Sequence, residues 1–315
     1  MLIFTYRQGV GILSSLEKAM INFEETNQDF IIHSLQRLQA RMVGFFNRFI
    51  DEQIRGVEET KVKINKRKGV ISFMRIFPHF SATIEGMMAG PSLEVSELRI
   101  SVNEAYNRIN RAMWESLKFI AKEAPGQAAS AAATGVDPED KEILNYHILI
   151  IENMNHYMGE VETGENTVLE KWRDRAEQDQ KDHMKLYLDA VIHRPLGKLL
   201  DFVDATENLM RQKHSPLEIA HRASHSRSVA KKLLGSYDSK EIRQGAHMLR
   251  KRVEKHFGDA DDPALSRSLV QKVLDECEQR YKETHERIVN IVKIVYESQL
   301  DVEWSPEDAS AMLKR

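Results

Sequence analysis

A chain of 315 residues allows one large domain or two medium ones, and its 42% hydrophobic and 30% charged residues exclude a disordered or collagen-like chain. Mean hydropathy is −0.47, and no stretch approaches the ~18 apolar residues of a membrane span. The net charge of −3, from 45 basic and 48 acidic residues, selects no partner until it is resolved along the chain.

In chain order, apolar spacing predicts helices over 12–26, 29–64, 71–88, 94–123, 138–161, 167–192, 196–212, 226–234, 239–257, 263–298 and 306–314. Ile31, Leu35, Leu38, Met42, Phe45 and Phe49 recur at steps of three and four, as do Val95, Leu98, Val102, Ala105, Ile109 and Ala112. His147, Ile151, Met154, Met158 and Val161 form a third stripe. Val270, Val273, Cys277, Thr284, Ile288, Ile291 and Val295 form a fourth. The β-branched run 288–295 repeats every three residues, whereas a strand needs alternation, so it reads as helix. Asp137-Pro138, Asp262-Pro263 and Ser305-Pro306 read as helix starts, with a capping side chain before a proline at the first helical position. Pro91, Pro125, Pro195 and Pro216 mark breaks.

The uncharged small-residue stretch Ala124–Val136 reads as a linker. It implies a helical bundle over 1–124, a linker over 125–136 and a second bundle over 137–315. Residues 213–228, rich in serine and histidine, read as a loop or irregular insert. Two helices longer than thirty residues, each ~45–55 Å, do not fit a compact chain whose radius of gyration is ~20 Å. The expected fold is all-α, an elongated rod of stacked antiparallel helical bundles.

The search for chemistry returns little. HExxH, GxSxG and GxxxxGK[ST] are missing from the sequence. Gly9-Val10-Gly11 lacks the third glycine and preceding strand of a nucleotide loop. Glu218 and His221 form one ExxH pair, where a di-metal bundle needs two such pairs and two more glutamates. Asp259, Asp261 and Asp262 lack the glycine of a calcium loop and read as caps. The single cysteine, Cys277, excludes an internal disulfide framework and a cysteine-built zinc site, points to a reducing compartment, and reads as a buried, inert thiol on an apolar stripe. His147 reads as a hydrogen-bonded core histidine. Trp114, Trp172 and Trp304 are too scattered along the chain for an aromatic cage. Met1-Leu2-Ile3-Phe4 meets Tyr6-Arg7-Gln8 at once, so no secretory apolar core is expected. These readings predict a non-enzymatic protein with no catalytic, cofactor or metal residues.

Charge is segregated. Lys61, Lys63, Lys66, Arg67, Lys68 and Arg75 carry +6 with no acid among them. Residues 211–255 hold twelve Lys or Arg against four acids, and 137–182 hold thirteen acids against five bases. Lys61, Lys63, Lys66, Arg67 and Lys68, with Gly69 as a helix C-cap, form one candidate surface for anionic lipid or a protein partner. Arg250, Lys251, Arg252 and Lys255 form the other. Nucleic-acid binding by the same clusters is the alternative. The acidic stretch, a pI near 6.5 and the lack of interleaved aromatics count against it.

Longer strings carry a resemblance. Phe49–Arg55 (FIDEQIR), Lys66–Pro78 (KRKGVISFMRIFP), Asn145–Tyr157 (NYHILIIENMNHY), Arg194–Phe202 (RPLGKLLDF), Ser224–Tyr237 and Arg252–Pro263 (RVEKHFGDADDP) resemble the C-terminal region of the exocyst subunit Sec-three, in its fungal form. The similarity runs from about Glu17 past Val295. It implies a non-enzymatic subunit of an octameric tether that holds secretory vesicles at the plasma membrane before fusion. Its partners would be other exocyst subunits, and its location cytoplasmic and peripheral at the plasma membrane, at sites of exocytosis. Members of that family begin with a pleckstrin-like domain that binds phosphoinositide and small GTPases, followed by a coiled coil. Neither is visible in this sequence, so lipid and GTPase binding through that domain does not carry over.

Overall fold

The structure, a computed structural model, describes residues 2–24, 26, 28–63, 69–88, 96–122, 141–258 and 263–314. Among them are the helices α1 (Leu2–Glu24), α2 (Asp29–Lys63), α3 (Ser72–Met87), α4 (Glu97–Lys122), α5 (Lys141–Glu160) and α6 (Thr167–Arg211). They continue with α7 (Pro216–His221), a 3-10 turn at Ala223–His225, α8 (Arg227–Gly235), α9 (Ser239–Phe257), α10 (Pro263–Val295) and α11 (Pro306–Leu313). The described residues contain no strand, and the fold is an all-α helical bundle. The linker at 124–136, the Asp137 helix start, Pro91, Pro125 and Asp259, Asp261 and Asp262 lie outside the described residues.

Three expectations change. The first helix begins at Leu2, not residue 12, with Gly9 and Gly11 inside it and packed near Met42 and Met87. The break expected at Pro195 is missing, and α6 runs 45 residues through it. A proline inside a helix forfeits one amide hydrogen bond and crowds the carbonyl four residues back. Here the neighbours Val191, Ile192, Leu196 and Leu199 are all buried, and that packing holds the helix together. Gly245 of α9 lets a second backbone approach the ring, since a Cβ there would lie 3.1 Å from Pro195 Cβ. Third, the supposed insert at 213–228 is ordered. Ser215 and Glu218 close a reciprocal capping box at the start of α7, and Tyr296 Oη donates to the His225 carbonyl at 2.7 Å.

Packing divides the chain into two compact units, Met1–Ser130 with Leu149–Lys181, and Ala131–Ile148 with Asp182–Arg315. Helices α5 and α6 supply residues to both.

The first unit is centred on aromatic rings. Phe77 stacks on Tyr157 at 5.9 Å, Trp114 meets Tyr157 edge-on at 5.0 Å, and Trp172 lies 5.0 Å from Trp114. Trp114 and Trp172, distant in sequence, are therefore neighbours in the core. Polar groups seal the edge of this core. Glu85 takes a forked pair from Arg99 at 2.8 and 3.0 Å, a bond from Tyr106 Oη at 2.9 Å and one from Asn166 Nδ2 at 3.2 Å. Asn166 Oδ1 in turn accepts from the amides of Val168 and Leu169, capping α6.

The second unit is mainly aliphatic inside. Val191, Leu196, Leu199 and Val203 of α6 are buried, as are Ala246 and Val253 of α9 and Val273 of α10. Ionic contacts clamp its outside. Arg287 of α10 bonds Glu207 at 2.8 Å and also pairs with Asp204, and Arg280 meets Asp189 at 3.1 Å. Helix α11 is fastened across α9 and α10. Asp308 accepts from the Ser305 amide at 3.0 Å, Ser239 Oγ at 2.8 Å and Arg243 Nε at 2.9 Å.

Candidate functional site

The basic residues picked out by sequence fall in both units. Lys61 is half-exposed near the end of α2, its Nζ 4.7 Å from the Phe119 ring centroid of α4. Lys63 is the last described residue of that helix, and Lys66, Arg67 and Lys68 lie outside the described residues. The helix end expected at Gly69 lies outside the described residues, but Gly69 itself is described. With φ +83°, a backbone that suits glycine, it turns the chain into α3. There α5 clamps it: Glu152 Oε2 accepts from the Gly69 amide at 2.8 Å, and Asn153 Oδ1 from the Ile71 amide at 2.9 Å.

The second cluster lies on α9. Asp238 caps this helix through the Glu241 amide at 2.8 Å, and Lys255 and His256 complement the negative pole at its other end. Ile242, Ala246, Leu249, Val253 and Phe257 face the core, so the remaining positions face outward at helical spacing. The four expected residues do not share one direction. Lys251 and Lys255 are exposed, Arg250 bonds Glu254 at 2.7 Å, and Arg252 lies half-exposed on the flank toward Tyr187. Sequence reading missed what lies beside them. Arg243, Gln244, His247, Arg250, Lys251 and Glu254 line an open groove that Met312 of α11 completes. Arg243 and Met312 are 69 residues apart, and only the seating of α11 on α9 brings them together.

The residues weighed for chemistry sit as follows. Cys277 is fully buried, and burial pushes its thiol up to about 12, so it is protonated and unreactive at neutral pH. His147 Nδ1 lies 2.9 Å from His183 Nδ1, a pairing that requires one ring to donate and the other to accept. Burial, and secondly the His183 ring, pull His147 down to about 4, which keeps it neutral. The spacing of 36 residues hid this partner. Glu218 is spent on the α7 cap, and His214 Nδ1 lies 3.7 Å from its carboxylate. The glycines at 9 and 11 belong to the interior of α1. Among the described residues no group of three or more His, Cys, Asp or Glu is placed to hold a metal ion, and no described helix is long and apolar enough to cross a membrane.

This arrangement presents helical faces for contact, and comparison with known proteins says which family presents them. The family model described as "Exocyst complex component Sec3, C-terminal" matches residues 5–298. Exocyst complex component 1 of Mus musculus is 23% identical over 253 residues, 80% of this chain and 26% of that protein. The protein of the same name in Drosophila melanogaster is 22% identical over 243 residues, 77% of this chain and 24% of the relative. Exocyst complex component SEC3A of Arabidopsis thaliana is 22% identical over 272 residues, covering 86% and 27%. The chain thus spans about a quarter of the length of these curated relatives. No solved structure matches it. Since the family match takes in α2 through α10 whole and most of α1, the chain belongs to the family of the C-terminal region of exocyst complex component Sec3.

Proposed function

We propose that this chain is a non-catalytic scaffold within an exocyst vesicle tether, acting in exocytosis by packing its helical faces against other exocyst subunits. Its place is cytoplasmic, peripheral at the plasma membrane where secretory vesicles arrive. The family match over residues 5–298 carries this reading. Surface composition supports it, because several helices leave large apolar side chains in solvent: Phe30 is 84% exposed, Leu217 66%, Ile100 65% and Met248 60%. Scattered singly such residues are ordinary, but at the centre of a helix–helix contact they supply the buried apolar area that holds subunits together. The buried Cys277 thiol and the neutral His147 ring, paired with His183, are spent on packing, which agrees with a role without catalysis.

An affinity pull-down from cytoplasmic extract, read by mass spectrometry, tests the proposal. The expected result is recovery of other exocyst subunits with the chain as bait. An eluate that holds none of them, from bait of native helicity, overturns it.

A further inference from the structure

We infer that the groove between α9 and α11 docks an acidic amphipathic helix of a protein partner, a reading that rests on the scaffold role above and names the chemistry of one contact. Lys240, Gln244, His247, Lys251 and Lys255 follow one another at steps of three and four along α9, all exposed. They make a row of roughly 22 Å on one face at 1.5 Å per residue. None of the three lysines is engaged by a carboxylate among the described residues, so their charge is free to meet a ligand.

Beside the row, the cations are already paired. Arg243 is tied to Asp308, and Arg250 to Glu254. The result is polarised: free positive charge on the outer row, neutralised pairs beside it, and two apolar contacts, Met248 on the flank and Met312 in the groove. A helix with carboxylates at i, i+4, i+7 and i+11 matches the spacing of the row, and an apolar residue beside that stripe reaches the methionines, whose flexible side chains adapt to varied partners.

Shape and charge favour a helix over a lipid surface. The site is concave and formed by two elements, whereas a bilayer meets a protein across a broad front. The carboxylates of Glu254 and Asp308, paired with Arg250 and Arg243, lie on the same side of α9, and they oppose phosphate packed against the whole face. Only the outer row welcomes an anion, which is what a narrow helix stripe offers.

The test uses the full chain and a synthetic helical peptide bearing Glu at i, i+4, i+7, i+11 and i+15 with Leu alongside. Its Gln analogue and phosphatidylserine vesicles are the comparison probes, with binding followed by fluorescence anisotropy and by co-sedimentation. The acidic peptide is expected to bind about tenfold tighter than the Gln analogue, to weaken as salt rises, and to lose that preference in K240E/K251E/K255E. That variant changes only exposed side chains and should stay folded, its melting temperature lowered only slightly by the loss of Lys255 at the negative pole of α9; Met248→Glu, also exposed, should weaken binding without altering the fold. Equal binding of both peptides, equal binding by parent and triple variant, or no binding of the acidic peptide, whether or not vesicles co-sediment, overturns the inference. The pull-down separates the two readings. Exocyst subunits recovered equally by parent and triple variant leave the scaffold standing without this groove, while acidic-peptide binding without recovery of any subunit leaves the groove without the scaffold.

Discussion

The two units solve the problem of holding long helices together in different ways. In the first, aromatic rings of α3, α4, α5 and α6 meet at the centre, and buried polar groups lock them at fixed points, Asn110 with Tyr157 and Asn153 with the Ile71 amide above all. In the second, aliphatic side chains surround the buried rings of Tyr187, Phe257 and Tyr281, and several directional contacts sit near the surface, as with Arg287 on Glu207 and Arg280 on Asp189. A buried polar network is costly to break because it leaves unpaired groups out of water, whereas half-exposed ion pairs are replaced by solvent. The first unit should therefore concentrate its sensitivity in a few residues, and the second should spread it.

The largest effect tests the aromatic centre. Trp114→Ala removes a ring in contact with both Tyr157 and Trp172 and should lower stability by about 3–5 kcal/mol. Denaturant unfolding checks this with unit-specific probes, since Trp172 reports on the first unit and Trp304 on the second. A loss below about 1 kcal/mol would erase the contrast between the units.

Next comes Asn166→Ala, which deletes the α6 cap and the bonds to Glu85 and Asn103. A loss of about 2 kcal/mol is expected, more than capping alone supplies. Asn166→Asp keeps the cap but sets a carboxylate beside Glu85, so it should recover only part of that loss.

In the second unit, Asp308→Asn should cost about 1–2 kcal/mol, because the α11 cap and the Arg243 pair both weaken. Burial works to raise Asp308, but the Ser305 amide, Ser239 and Arg243 outweigh it and hold the carboxyl below its ordinary value of 3.8. For a lowered carboxylate, the stabilisation is complete above the unfolded value and fades as pH falls through the lower folded one. Thermal melts of parent and variant should therefore differ above pH 4 and converge in stronger acid.

The smallest effect at neutral pH belongs to His147→Gln. His147 titrates near 4 folded against 6.5 ordinarily, so the unfolded chain binds the extra proton between those values. Stability from this residue is complete above 6.5 and declines as pH falls toward about 4. Melting temperature followed from pH 7 to pH 4 should fall less steeply in the variant. Parallel profiles would mean the His147–His183 contact carries no protonation penalty.

Local pattern alone determined the all-α class, the placement of α2, α4, α9 and α10 within a few residues, and the burial of Cys277 and His147. Each of these follows from residues three and four apart sharing a helix face, a relation the chain carries in its own order. The charge on α9 was equally legible, but not the division of labour within it. Whether Arg243 is free or paired depends on where Asp308 arrives, and α11 brings it from the far end of the chain. The uninterrupted path through Pro195, the neighbouring Trp114 and Trp172, and the His147–His183 pair were decided in the same way by packing between distant segments. A proline breaks a helix that stands alone, but buried neighbours on both sides and a glycine on the facing helix supply what the missing amide bond does not. Sequence periodicity names the face that turns inward; only the tertiary structure names what meets it there.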